Sequence, residues 1–271
     1  MSPISTVLLR GVELSVRDEG RGTPVVWGHG LTSSMAHEDE IGLLNLGLPA
    51  DRYRMIRYDA RGHGASTGST DPADYHYDQL ASDQLALMEQ LGLAEVVLGG
   101  ASMGSVTALH TAVAVPDRVQ ALVLVIPPTA WEARVDRGAL YEAGAEVIAQ
   151  AGIEAFIELA ATEPLPPVFA AFSADLLEAT SRRYRDLDPQ VLPAIFRGVG
   201  GSDLPDREQI AKISVPTLVL CWEGDPVHPR ATAEELDRLL PHSELHVAAD
   251  LAGVMEWPAI ARRFLDDVTR S

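Results

Sequence analysis

Short apolar runs recur along the chain, and segments with helical periodicity separate them. Clear examples are residues 96–98, 121–126 and 217–221. Runs that are apolar at every position are typical of strands buried on both faces, and their alternation with helices is typical of a parallel sheet. The pattern therefore predicts an α/β fold with a mostly parallel central sheet that helices cover on both faces.

The first part of the chain supplies further strands. Residues 5–9 and 12–16 alternate between apolar and polar positions, which predicts an opening hairpin. Residues 24–27 and 55–58 predict buried strands, and each leads into a glycine-containing loop. Because ligands of such sheets bind beyond the carboxyl ends of the strands, these loops are candidates for a functional site.

The alternation of strands and helices stops between residues 128 and 207. This segment combines helical periodicity with large apolar side chains such as Phe156 and Phe172, which need cover from water. We therefore predict a helical cap over residues 128–207, inserted into a core formed by residues 1–127 and 208–271.

Composition limits the partners that the protein can have. The chain has 271 residues, a formal net charge of −18 and one cysteine, Cys221, which excludes an internal disulfide. The negative charge argues against binding to nucleic acid or to an anionic membrane surface. No apolar run approaches the roughly 20 residues of a membrane span, and no early segment has the features of a signal peptide. We expect a cytoplasmic protein with a small-molecule partner, whereas the oligomeric state stays open.

The pentapeptide Gly100-Ala101-Ser102-Met103-Gly104 is the most specific chemical signal in the chain. It follows the apolar run at 96–98 and precedes a helix-like stretch. In this context Gly-x-Ser-x-Gly predicts a nucleophile elbow, the sharp turn that places a serine at the end of a central strand. Ser102 is therefore the candidate nucleophile, although a small residue filling a tight turn is the structural alternative.

Several motifs in a fixed order resemble those of the α/β-hydrolase family, over nearly the whole chain. They are His29-Gly30, Asp59-Ala60-Arg61-Gly62-His63-Gly64, the elbow at Ser102, Gly224-Asp225 after the strand at 217–221, and Glu256-Trp257-Pro258. The resemblance implies the α/β-hydrolase fold with a cap, activity on a small ester, lactone or related carbonyl compound, and no cofactor.

The same resemblance implies roles for single residues. The backbone N–H groups of Met103 and Leu31 correspond to the oxyanion hole, which stabilises developing negative charge. Asp225 corresponds to the acid that orients a catalytic histidine. His29 corresponds to a histidine that supports the loop before the oxyanion hole.

The catalytic histidine that the resemblance implies is missing. Leu251 stands at its position, and no histidine lies between the strand at 244–247 and the final helix. A serine hydroxyl needs a base within hydrogen-bonding distance. The sequence therefore predicts an incomplete triad with a weakly reactive Ser102, and an Asp225 that lacks an imidazole partner because Leu251 points into the gap.

Another histidine could replace the missing base. His37 follows the oxyanion loop, and His228 follows Asp225 by three residues. Both lie beyond strand ends at the predicted active-site edge, whereas His246 lies within a strand. If a recruited base exists, we expect His37 or His228 rather than His246.

Candidates for the substrate pocket come from the loop after the first parallel strand and from the cap. His37, Trp131 and Phe169 are the side chains that we expect to line it, and the alternative for the two aromatic residues is the core of the cap. The histidines form no short-spaced cluster with carboxylates, so no metal site is predicted.

Two functions remain open. The first is a hydrolase of a small, apolar ester, lactone or related carbonyl compound, which uses Ser102 with an atypical or missing base. The second is a catalytically impaired or non-hydrolytic scaffold that binds a small apolar ligand or steers a cofactor-free rearrangement. The elbow and Asp225 favour the first, whereas Leu251 at the histidine position favours the second.

Overall fold

A computed structural model of the protein describes residues 4–162 and 165–269, and an eight-stranded sheet lies at its centre. The strand order is β1-β2-β4-β3-β5-β6-β7-β8. The pairs β1–β2 and β2–β4 are antiparallel, and all other neighbouring strands are parallel. The strands are β1 (Ser5–Leu9), β2 (Val12–Gly20), β3 (Thr23–Gly28), β4 (Tyr53–Tyr58), β5 (Val96–Ala101), β6 (Val119–Val125), β7 (Thr217–Trp222) and β8 (Ser243–Ala248).

Helices cover both faces of this sheet, which confirms the predicted α/β-hydrolase fold. They are α1 (Met35–Ile41), α2 (Tyr77–Gln90), α3 (Met103–Ala114), α4 (Arg134–Ala160), α5 (Ala174–Arg182), α6 (Leu192–Gly200), α7 (Arg207–Ile210), α8 (Arg230–Leu239), α9 (Leu251–Met255) and α10 (Trp257–Thr269). Within the described ranges, no helix is long and apolar enough to cross a membrane.

The apolar strands form two cores because successive side chains point to opposite faces of the sheet. In β5, Val96 and Leu98 join the core beneath α2, α3 and α8, whereas Val97 joins the core beneath α10. Burial on both faces explains why the parallel strands are apolar at nearly every position. The apolar runs of the sequence therefore correspond to the centre of the sheet.

The backbones of β3, β5 and α3 approach each other closely at three glycines. A Cβ atom on Gly104 would lie 2.0 Å from the carbonyl oxygen of Gly28, and one on Gly100 would lie 2.4 Å from the same oxygen. Only residues without a side chain fit at this crossing. The glycines thus allow α3 to begin directly at the carboxyl edge of the sheet, immediately after Ser102.

The described residues between 128 and 207 form helices and turns and no strand. The first and last parts of this cap segment are tied together by Arg134, which is buried. Its guanidinium donates to the carbonyls of Thr129 (3.3 Å), Val199 (2.6 Å) and Ser202 (2.9 Å). The cap segment is therefore anchored at its junction with the core, and its boundaries at 128 and 207 stay a prediction.

The glycine crossing gives a first prediction. Gly104→Ala should destabilise the protein by about 3 kcal/mol or more, because the added methyl group has no free space beside the Gly28 carbonyl. Gly30→Ala is the matched control, since its Cβ would meet only ordinary contacts, at 3.7 Å from Ser102. Urea unfolding of both variants measures the difference, and equal stabilities would contradict the close approach.

Candidate active site

Ser102 lies in the turn between β5 and α3 with a backbone conformation that is rare for a residue with a side chain. Its φ is 50° and its ψ is −111°. Its N–H donates to the carbonyl of Val125 (2.9 Å), and its own carbonyl accepts from the N–H of Ser105 (2.9 Å). The turn is thus held from the neighbouring strand and from the helix, and the Ser102 side chain faces a cavity.

The loop after β3 faces Ser102 and is fixed by His29, which is buried. Burial lowers the pKa of His29 to about 4, so the ring is neutral at neutral pH. Its Nε2 accepts from the N–H of Ala60 (2.9 Å), and the protonated Nδ1 donates to the carbonyl of Gly30 (2.8 Å). Since the Gly30 carbonyl and the Leu31 N–H belong to one planar trans peptide, this bond also sets the direction of that N–H.

The two residues expected to supply the oxyanion hole lie on either side of Ser102. Leu31 contributes to the cavity wall, and a Cβ on the preceding Gly30 would lie 3.7 Å from Cβ of Ser102. Met103 is the first residue of α3, so its N–H has no carbonyl acceptor within the helix. Both positions suit the expected role, and the oxyanion hole stays a prediction.

Asp225 lies in the loop after β7 and accepts hydrogen bonds at both carboxylate oxygens. The backbone N–H groups of Val227 (2.8 Å) and His228 (3.1 Å) donate to Oδ1. The indole N–H of Trp222 (2.7 Å) and Nδ1 of His228 (2.7 Å) donate to Oδ2. These contacts leave only 6% of Asp225 exposed and fix the carboxylate rigidly.

His228 lies between Asp225 and Ser102 and contacts both. Its Nδ1 lies 2.7 Å from Asp225 Oδ2, and its Nε2 lies 2.9 Å from Oγ of Ser102. Burial by itself raises the pKa of Asp225, but the bond and charge of His228 and the bonds from Trp222 and Val227 hold that pKa well below its usual range. The carboxylate is thus ionised and can only accept, so Nδ1 of His228 carries a proton and Nε2 is the ring nitrogen that faces the Ser102 hydroxyl.

This geometry corrects two expectations from the sequence. The prediction that Asp225 lacks an imidazole partner is wrong, because His228 follows it within a single loop. The prediction that Ser102 has no histidine within reach fails for the same reason. Of the two histidines left open as a recruited base, His228 contacts Ser102, whereas His37 hydrogen-bonds Ser33 (3.0 Å).

Leu251 does not point into the gap between Ser102 and Asp225. It is the first residue of α9, and the side chain of Asp250 caps that helix by accepting from the N–H of Gly253 (3.0 Å). Leu251 is half-buried against the apolar core beneath α10 and forms no part of the cavity wall. Its correspondence to a histidine position therefore stays a prediction from the resemblance.

The aromatic side chain of Trp222 supports the site from the side of the core. Its ring stacks on that of Trp257, with centroids 5.8 Å apart, and meets Phe169 and His228 edge to face. The indole N–H is thereby aimed at Asp225. Trp222 was not a candidate in the sequence, where it is simply the last residue of an apolar strand.

A cavity of about 280 Å³ opens above Ser102. Phe169 and His37 line it as expected, but Trp131 does not. Trp131 instead donates from its indole to the carbonyl of Pro205 (3.3 Å) and lies beneath the guanidinium of Arg207, 4.5 Å from the ring centroid. The rest of the wall is largely apolar. It comes from the loop after β3, α1 and the loop after it, the cap segment, and the loops after β6 and β7: Leu31, Ile41, Leu43, Leu44, Ala160, Leu165, Pro166, Ile126 and Val227.

The cavity wall also carries four polar side chains that sequence reasoning missed. They are Ser33 in the loop after β3, Glu38 of α1, and Arg183 and Tyr184 immediately after α5. No motif marks them, because α1 and α5 are far apart along the chain and meet only in the folded protein. Nowhere in residues 4–162 and 165–269 do three histidine, cysteine or acidic side chains gather closely enough to hold a metal ion.

Comparisons with known proteins agree with this architecture. A family model described as the alpha/beta hydrolase fold matches residues 23–252. A 3-oxoadipate enol-lactonase of Acinetobacter baylyi is 30% identical over 197 residues, which span 73% of this chain and 71% of that protein.

Solved structures are similar over nearly the full chain. A thermophilic esterase from Thermogutta terrifontis matches with a TM-score of 0.79 and 24% identity, covering 98% of this chain and 97% of that chain. An enol-lactonase from Burkholderia xenovorans LB400 matches with a TM-score of 0.75 and 22% identity, covering 98% of this chain and all of the other. At these identities the likeness shows the fold.

The bond from Trp222 to Asp225 gives a second prediction. Because the pKa of Asp225 is depressed, its ionised form contributes stability that is present above the ordinary carboxyl pKa near 3.8 and is lost as the pH falls below it. Trp222→Phe removes one donor and should cost about 1.5–3 kcal/mol at pH 7. Urea unfolding between about pH 2 and pH 8 should show this deficit shrinking only at the acidic end, where the less stabilised carboxylate of the variant takes up a proton in the folded state before that of the wild-type protein.

Trp257→Phe is the matched control for this measurement. It truncates the stacked partner ring without touching Asp225. Its effect on stability should not follow the titration of Asp225. Identical pH profiles for the two variants would contradict a role of the indole N–H in holding the carboxylate.

Proposed function

The chain belongs to the α/β-hydrolase family, and we propose that it is a serine hydrolase of small esters or lactones whose base comes from the loop after β7. The observation that carries this proposal is the hydrogen-bonded chain from Ser102 through His228 to Asp225, with distances of 2.9 Å and 2.7 Å. A triad is recognised by its geometry and not by the positions of its members in the sequence. The proposed base, His228, therefore comes from a different loop than the expected histidine, but its distances to Ser102 and Asp225 are those of an ordinary triad.

In the proposed reaction, Ser102 attacks the carbonyl carbon of the substrate while Nε2 of His228 takes the hydroxyl proton. Asp225 holds Nδ1 and stabilises the imidazolium that forms. The N–H groups of Met103 and Leu31 bind the oxyanion, and His228 then returns the proton to the leaving alcohol. Water, activated by the same imidazole, hydrolyses the acyl-enzyme and regenerates Ser102.

The proposed acid and base lie only three residues apart, which has a physical advantage. Asp225 and His228 belong to one short turn whose backbone N–H groups bind the carboxylate that orients the ring. The acid and the base therefore keep their relative positions through local bonds alone. Only the distance from His228 to Ser102 depends on the packing of the sheet. Ser102 follows β5 and His228 lies in the loop after β7, and β6 pairs with both strands.

The surroundings of Ser102 favour a small and mainly apolar acyl or lactone group. The cavity of about 280 Å³ is walled by aliphatic and aromatic side chains next to the triad. An enol-lactonase and an esterase are among the proteins with sequence or fold similarity, which agrees with an ester or lactone substrate.

The alternative of a scaffold without hydrolysis is weaker for a specific reason. It was favoured by Leu251 at the position of the expected histidine. With His228 hydrogen-bonded to both Ser102 and Asp225, that feature no longer deprives Ser102 of a base. In place of the weakly reactive Ser102 that the sequence predicted, we accordingly expect a reactive one.

A third prediction tests the proposed triad. The wild-type protein should react rapidly and stoichiometrically with a fluorophosphonate probe and should hydrolyse p-nitrophenyl butyrate. Ser102→Ala should abolish labelling, and His228→Gln should lower kcat by about 10⁴–10⁶, because removal of one triad member disables the others.

His246→Gln is the matched control for the loss of an imidazole. His246 lies in β8, contributes nothing to the cavity wall and is the candidate that the sequence disfavoured. This variant should retain wild-type kinetics. A folded wild-type protein that neither reacts with the probe nor hydrolyses the ester would contradict the proposed function.

A fourth prediction concerns the position of the expected histidine. In the inactive His228→Ala background, the further change Leu251→His should not restore hydrolysis of p-nitrophenyl butyrate. The reason is that position 251 faces the apolar core beneath α10, and Asp225 Oδ2 is already bound by Trp222. Circular dichroism should first show that the variant is folded. Recovery of activity in the folded variant would then mean that a histidine at position 251 can reach Ser102, which contradicts this prediction.

A further inference from the structure

Arg183 is unusual among the arginines of this acidic protein. It lines the same cavity as Ser102, yet it forms no ion pair with any residue in the described part of the chain. Its neighbours Arg182 and Arg185 pair with Glu40 (3.4 Å) and Glu154 (2.8 Å) on the exposed surface. In a chain with a net charge of −18, a cation without a carboxylate partner at a cavity wall points to a ligand.

The guanidinium of Arg183 is held in place before any ligand binds. Its Nη2 donates to the hydroxyl of Tyr184 (2.9 Å), and its Cζ lies 4.8 Å from the centroid of the Tyr184 ring. Its Nε is buried and has no hydrogen-bond partner. A buried donor without an acceptor is costly, and a ligand oxygen would remove that cost.

His37 supplies a second donor on the same wall. Burial, followed by the charge of Arg183, lowers the pKa of His37 to about 4, so the ring is neutral at neutral pH. The hydroxyl of Ser33 lies 3.0 Å from Nδ1 and can donate to it, which leaves the proton on Nε2. Nε2 is buried and has no hydrogen-bond partner of good geometry, although the Ala179 carbonyl lies close enough to act on the ring as a weak acceptor, and the carboxylates of Glu40 and Asp186 also act on it.

The acidic side chains of the cavity do not compensate Arg183. Asp225 is occupied by His228 and Trp222, and Glu38 Oε2 accepts from Arg57 (3.1 Å). Burial also raises the pKa of Glu38 to about 7, which reduces its negative charge at neutral pH. The positive charge of Arg183 is therefore available to a bound molecule.

We propose that Arg183 and His37 form an anion subsite that binds a carboxylate of the substrate, at a distance from the ester or lactone carbonyl that Ser102 attacks. This inference rests on the proposed hydrolase function and refines it. The substrate class becomes esters or lactones with an apolar middle and one terminal carboxylate. The guanidinium selects that group because it offers charge together with N–H donors in a fixed plane.

Kinetics with paired substrates test the subsite. The p-nitrophenyl hydrogen esters of adipate, pimelate and suberate carry a free carboxylate, and the corresponding p-nitrophenyl methyl diesters have nearly the same shape without the charge. The wild-type ratio of kcat/KM, acid over methyl ester, should exceed about ten for at least one chain length. Arg183→Gln should reduce that ratio toward one, since a charge-assisted bond is worth about a factor of ten or more.

Arg182→Gln is the matched control, because it removes the same charge from the neighbouring position on the exposed surface. It should leave the ratio as in the wild-type protein. Arg183→Lys keeps the charge but loses the Nε donor, so its ratio should be intermediate. A ratio that Arg183→Gln and Arg182→Gln change equally would overturn the subsite and attribute the preference to net charge alone.

Binding to the inactive Ser102→Ala variant separates this proposal from the proposed reaction. Calorimetry should detect monomethyl adipate or monomethyl suberate binding at least about tenfold more tightly than the dimethyl ester, and Arg183→Gln should abolish the difference. Hydrolysis of the neutral esters without this preference would overturn the subsite and leave the hydrolase intact. Carboxylate binding without any hydrolysis would overturn the proposed reaction and leave the subsite intact.

Discussion

The contact between the backbones of β3 and α3 determines where the reactive groups of this protein lie. The Gly28 carbonyl fits against Gly104 and Gly100 with no space for a Cβ atom. Because the helix can approach this closely, it begins directly at the carboxyl edge of the sheet, and Ser102 takes a left-handed conformation at its first turn. The loop after β3 is thereby brought beside Ser102, where it can supply the second N–H of an oxyanion hole.

The carboxylate of Asp225 organises the other half of the site. Donors from two backbone groups, one indole and one imidazole surround it, so its negative charge is stabilised in a nearly buried position. The ring of His228 lies with Nδ1 toward the carboxylate and Nε2 toward Ser102. An imidazole from the loop after β7 thus comes within hydrogen-bonding distance of the Ser102 hydroxyl.

The cavity connects this chemistry to the cap segment. Its wall is apolar near the triad, whereas α1 and the end of α5 bring His37 and Arg183 to it. The two ends of the cap segment are anchored to each other through Arg134, and α5, which directly precedes Arg183, packs against α1. The charged group at this wall and the apolar path to Ser102 are the features on which our proposal of an amphipathic substrate rests.

The sequence by itself predicted the sheet, the turn at Ser102 and the loop that carries Asp225, because apolar runs and glycine spacing are local patterns. The uninterrupted apolar run at 96–98 predicts a strand buried on both faces, and the glycines that flank Ser102 predict a tight turn, before the partners of either segment are known. The sequence left the base open between His37 and His228, and it placed Trp131 at the pocket. Only the tertiary structure decided these points, since whether an imidazole reaches a hydroxyl depends on the packing of β7 beside β6 and β5. The same holds for Trp222, whose ring packs against Trp257 and Phe169, and for Arg183, which reaches the cavity wall where α5 meets α1, because these contacts join residues that are distant in the chain.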